Sequence, residues 1–66
     1  MPNTDLIRIQ KIKLGGKIYI DIRRCIEPPS GKPIPTARGV SVPLEVLDAV
    51  LEKALAANGE AEYVVV

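Results

Sequence analysis

Sixty-six residues make one small domain. A chain this short buries only about 60% of the surface its unfolded form exposes, and it ordinarily needs a metal, disulfides or a partner subunit. One cysteine (Cys25) and no histidine exclude an internal disulfide and a structural zinc site, so self-association is the expected support.

The chain is 47% hydrophobic yet has no Phe or Trp, so its core must be aliphatic. The formal net charge of +1 conceals an asymmetry. Residues 7–38 carry +6 and residues 39–66 carry −4, with Asp5 supplying the remaining −1. That split fits a polyanion partner for the basic half, and it equally fits a solvated face balanced elsewhere.

Leu6 to Leu14 reads as the first strand, with Ile7 and Ile9 on one phase and Ile12 and Leu14 on the other. The phase switch near Gln10-Lys11 predicts a β-bulge. Gly15-Gly16 tolerates the positive φ of a tight hairpin turn. From Lys17 to Ile26, alternation puts Ile18, Ile20, Ile22 and Ile26 on one face and Lys17, Tyr19, Asp21, Arg23 and Cys25 on the other. Arg24 breaks the apolar phase, and the strand is expected to end or twist outward there.

Residues 27–35 hold four of the six prolines plus Ser30-Gly31 and read as an exposed loop. Thr36 to Val42 is β-like again, and Gly39 is expected to divide it into two short strands. Pro43 opens a predicted helix over 43–58, with Ser41 or Val42 near the cap, Glu45 in the first turn and Asn58-Gly59 as the stop. Leu44, Leu47, Leu51, Ala54 and Leu55 form one apolar stripe, widened by Val46 and Val50. So wide an arc suits either a fully covered core helix or a second subunit, with Leu47, Val50, Leu51, Ala54 and Leu55 at the dimer interface. Residues 59–66 end in the β-prone run Tyr63-Val64-Val65-Val66. They form a frayed terminus, an extra edge strand or an arm crossing to a partner.

Most chemistry is excluded by what is missing. No arrangement of groups defines a reaction: there is no imidazole, and no second carboxylate or base lies at a useful strand spacing from Asp21. Gly15-Gly16 lacks the Lys-Ser/Thr and the helix of a phosphate loop. No stretch approaches the ~20 apolar residues of a membrane helix. The polar start, Met1 to Asp5, has no secretory core, and one unpaired thiol suits a reducing interior. The expectation is a cytoplasmic protein, nucleoid-associated if prokaryotic, with no cofactor, no metal and no membrane partner.

What remains is a binding face. Lys17, Tyr19 and Arg23 put an aromatic ring between two cations on one side of a strand, the arrangement with which sheets hold single-stranded nucleic acid. The alternative is an ordinary solvated sheet face. Asp21 would repel phosphate, and its expected role is to orient Arg23 or a cation on a neighbouring strand. Arg38 delivers charge from the third strand. Lys32 reads as either a contributor or a solvated loop tip.

The run Gly16-Lys17-Ile18-Tyr19-Ile20-Asp21-Ile22-Arg23, the loop with Gly31 and Pro35, then Arg38-Gly39-Val40-Ser41-Val42 and a helix opening at Leu44-Glu45 resemble one known family. It is the single-stranded DNA-binding domain of the positive cofactor 4 transcriptional coactivators. The resemblance spans about residues 6–57. It implies an α+β fold: a curved four-stranded antiparallel sheet followed by one C-terminal helix, paired as a homodimer through the helices. By position it places Gly16 and Lys17 in the first hairpin, which contacts the backbone, matches Arg23 to the strand-two arginine of the groove, and matches Arg38 to the basic residue before the third-strand glycine. The family's aromatics fall on Leu14 and Ile26, and part of its basic run on Ile34, Thr36 and Ala37. Tyr19, Lys11, Lys13 or Arg8 would have to substitute. The Ser/Lys-rich arm of eukaryotic members is absent, as in a minimal prokaryotic or viral version.

The leading expectation is a sequence-tolerant binder of single-stranded or melted DNA, or of RNA, acting with the transcription machinery or in replication or repair. The alternative is a protein-interaction module, a small polymerase cofactor, on the same fold. A double-stranded DNA regulator ranks below both, because no helix carries enough base-reading side chains.

Overall fold

The computed structural model describes residues 2–66. Three antiparallel strands run in the order β1 (Thr4–Leu14), β2 (Lys17–Glu27) and β3 (Ile34–Pro43). A short 3₁₀ turn (Leu44–Val46) leads into α1 (Leu47–Ala56). Residues after α1 form no strand.

The β1–β2 hairpin follows from its turn. Gly15 and Gly16 take φ of 55° and 81°, and Leu14 pairs directly with Lys17 across this two-residue connection. From there the register runs unbroken to Thr4↔Glu27. The bulge expected near Gln10-Lys11 is therefore absent. Its apolar phase switch is a real change of face: Ile7 and Ile9 lie with Ile22 on one side, and Ile12 lies beside Tyr19 on the other. β2 also continues past Arg24, because Arg24 Nη2 donates to Asp5 Oδ2 of β1 at 3.1 Å on the same face.

The irregularity sits instead between β2 and β3. Arg23 pairs with Gly39, but Cys25 pairs with Pro35, so Thr36, Ala37 and Arg38 stand opposite Arg24 alone. The two surplus residues preserve the alternation on either side of the bulge. Gly39 does not divide β3, and among the described residues the sheet has three strands where four were expected. The glycine has a different reason. A Cβ there would stand 2.8 Å from Ile22 O and 2.9 Å from Arg23 Cζ, so β2 and the Arg23 side chain approach too closely for any other residue.

The helix also starts later than its pattern predicts. Pro43 closes β3 with an extended ψ of 133°, and the chain reaches α-helical geometry only at Leu47. No side chain caps either turn. Ser41, the expected cap, donates its hydroxyl to Asp21 instead. α1 ends at Ala56, ahead of the predicted Asn58-Gly59 stop, although Gly59 does take a positive φ of 86°.

Burial is concentrated along the middle of the sheet and does not follow one face. Ile20, Cys25 and Val42 are buried, and Asp21, from the polar face, is only 4% exposed. On the apolar face Ile9 is 70% exposed, and Ile7, Ile34 and Val40 are more than half exposed. α1 buries no residue, and Leu55 is 89% exposed. The molecule is a plate of 40 × 35 × 15 Å. Its accessible surface is 5446 Å², whereas a compact monomer of this mass exposes about 4,100 Å². The radius of gyration is 14.4 Å, against about 11 Å for a compact domain of this length.

Candidate nucleic-acid interface

Direct cross-strand neighbours share a face, so the register assembles the candidate site. Lys17, Tyr19, Asp21 and Arg23 of β2 lie between Leu14, Ile12, Gln10 and Arg8 of β1 on one side and Pro43, Ser41 and Gly39 of β3 on the other.

Asp21 is the hub. Its Oδ1 accepts from Arg23 Nη2 at 3.1 Å and from Ser41 Oγ at 3.0 Å. Its Oδ2 accepts from Arg23 Nε at 3.2 Å and from Arg8 Nη2 at 3.2 Å. Arg23 thus grips the carboxylate with two nitrogens, while its Nη1 donates to the Thr36 carbonyl at 2.9 Å. One carboxylate ties three strands together. The Arg23 hydrogen bonds, aided by Ser41 and Arg8, outweigh the cost of burial and hold the Asp21 carboxyl at about 2, below its ordinary 3.8. Reciprocally, the Asp21 hydrogen bond makes Arg23 still harder to deprotonate. With two guanidiniums and one carboxylate, the cluster keeps a net positive charge.

Asp21 therefore orients Arg23, as the alternation predicts, and Arg8 as well. The sequence alone offers Arg8 only as a substitute cation. Its place was legible once the turn is fixed, because a Gly15-Gly16 hairpin sets Arg8 opposite Arg23.

The other predicted residues separate into groups. Gly16 and Lys17 stand at the hairpin end, where Lys17 Nζ lies 3.8 Å from Glu45 Oε1. Both side chains are largely exposed, so this pair is weak and open to exchange for a phosphate. Tyr19 is half-buried between Ile12 and Pro43 and lines a hollow of about 610 Å³ shared with Val50, Val64 and Val66. Lys11 and Lys13 pair with Ile20 and Ile18 and so stand on the opposite, apolar face. Lys32 is exposed on the loop between β2 and β3. Arg38 sits on the bulge at the far end of the sheet, where it lines a hollow with Asp5, Arg24, Ile26 and Thr36. The face thus unites Lys17, Tyr19 and Arg23, whereas Arg38 shares its hollow with Asp5, Arg24 and Ile26 of the opposite face. Among the described residues no cluster of acidic, Cys or His side chains could hold a metal, and no helix is long and apolar enough to cross a membrane.

No family profile matches this chain, and no curated protein matches it by sequence. A solved structure does. The crystal structure of a PC4 homolog from Burkholderia pseudomallei superposes with a TM-score of 0.74 at 33% identity, covering 88% of this chain and 78% of that one. Identity at that level over most of both chains, on the same sheet-and-helix fold, is what common descent leaves behind, and the chain belongs to the positive cofactor 4 (PC4) family.

Proposed function

We propose that this protein is a homodimeric, sequence-tolerant single-stranded DNA-binding protein that engages the backbone of exposed or melted strands, in the manner of a transcriptional coactivator or a replication and repair accessory factor. The observation that carries the reading is the single sheet face on which Lys17, Tyr19 and the Asp21-held Arg23 lie together, in a chain of PC4 descent. Lys17 supplies a displaceable cation and Tyr19 a half-exposed ring. Arg23 supplies a fixed positive centre in the floor, contributing mainly through its field because each of its three nitrogens already donates within the chain. No group here is arranged to make or break a bond, so the role is binding and not catalysis.

Homodimerisation is part of this reading. Leu51 and Leu55 leave an aliphatic stripe of the helix open in one chain. The surface in excess of a compact monomer, about 1,300 Å², is more than the roughly 800 Å² that one partner buries in a standard interface.

The test is the affinity for a fluorescent oligo-dT of about 20 nucleotides, longer than one typical groove. Replacing Lys17 and Arg38 together with Ala should abolish binding at moderate salt while the chain stays folded. Arg23 does not belong in that variant, because removing it would also break the three-strand staple. Unchanged binding by the double variant contradicts the site.

A second reading is a protein-interaction module, favoured by the engagement of all three Arg23 nitrogens within the chain and by the aliphatic Leu14 and Ile26 in place of stacking rings. A folded dimer that ignores oligonucleotides at low salt but retains a stoichiometric protein partner would decide for it.

A further inference from the structure

The bulge in β3 does more than carry Arg38. Thr36 Oγ1 donates to the Arg24 carbonyl at 2.8 Å and accepts from the Arg38 amide at 3.2 Å, so one hydroxyl fixes the backbone of both arginines. Their side chains line the same hollow, of about 300 Å³, with Ile26, Thr36 and Asp5. Asp5 accepts from Arg24 at 3.1 Å, and both partners of that ion pair are substantially exposed, 44% for Arg24 and 66% for Asp5. An exposed pair of this kind is weak and exchanges readily for another anion. Ile26 offers an aliphatic wall where the family resemblance expects a ring.

From this geometry we infer that Arg24 and Arg38 form a second phosphodiester subsite, at the opposite end of the sheet from Lys17 and on its other face, which Asp5 occupies as a resident competitor until a nucleic-acid phosphate displaces it. The subsite rests on the single-stranded DNA reading and extends it: Arg24 becomes a backbone contact, and Asp5 becomes the residue that limits affinity. Two guanidiniums facing one hollow match a bridging phosphate, each donating to its oxygens. Grip at this end is electrostatic, where an aromatic would have supplied stacking.

The experiment is a double-variant cycle read by oligo-dT titration across a salt series. Asp5→Asn should tighten binding about two- to fivefold, the range spanned by an exposed ion pair, and Arg24→Ala should erase that gain. Arg24→Ala alone should make the log–log salt slope shallower by about 0.7, one phosphate's share on a single strand. Arg24→Lys should restore most of the slope, which a purely structural role for Arg24 would not produce. An equal gain from Asp5→Asn in both backgrounds, or a slope unmoved by Arg24→Ala, overturns the subsite. If binding still depends on Lys17 in that case, the groove reading stands and the subsite alone fails. A wild-type chain that binds no oligonucleotide overturns both.

Discussion

An aspartate flanked by isoleucines on a strand accepts four hydrogen bonds here, two of them from one arginine. Because the folded Asp21 titrates at about 2 and the ordinary group at 3.8, its contribution to stability is complete above about pH 3.8 and is lost as the pH falls toward 2. Asp21→Asn should therefore be less stable than wild type at neutral pH. The gap should close between pH 4 and pH 2 in acid unfolding followed by circular dichroism, within the window about 4 to 2 that the shift defines. A gap independent of pH would deny Asp21 this ionised role. Gly39 is a second residue whose reason is local. Gly39→Ala would push a methyl to 2.8 Å from Ile22 O and against Arg23. Overpacking of that kind costs about 1–3 kcal/mol, readable from the denaturation midpoint. A midpoint equal to wild type would mean that β3 can retreat from β2 freely.

Elements differ in how far the sequence announces them. The β1–β2 hairpin was legible because its turn residues and its alternation are local, and together they set every cross-strand pair, including Arg8 with Arg23. The β3 bulge was not, because it depends on a threonine hydroxyl bridging two strands and on Arg23 reaching the Thr36 carbonyl. Both contacts exist only after the sheet has formed. The helix begins later than its sequence pattern predicts for a related reason. Proline at the head of an apolar stripe looks like a first-turn residue, but Ser41 is committed to Asp21, and Pro43 is held extended at the end of β3. At the candidate site, Lys17, Tyr19 and Arg23 were read from alternation alone. In sequence Arg24 marks only a break in an apolar face, and the bulge is what brings Arg38 beside it.

At the scale of the whole molecule, the single chain looks like half of something. A plate 15 Å thick with a helix that buries no residue lacks the apolar burial that normally outweighs chain entropy. Pairing two chains through their helices would cover Leu51 and Leu55 together and leave Lys17, Arg24 and Arg38 open to solvent. Sedimentation should then return twice the 7.1 kDa chain mass. Leu51, half exposed in one chain, would meet the partner, so Leu51→Glu should shift the equilibrium to monomer and lower stability by several kcal/mol through burial of an unpaired charge. An unchanged dimer in that variant would place the interface elsewhere.

The most direct measurement of the central claim is a titration of oligo-dT against the wild-type protein at two salt concentrations, with the matching duplex as competitor. The account predicts tight binding that duplex does not displace and that weakens with salt. The log–log slope should be about −1.4 or steeper per protomer, from Lys17 and Arg38 at roughly 0.7 each. Binding that duplex competes away equally, or no binding even at low salt, would contradict the groove and leave the open aliphatic face as a surface for protein partners.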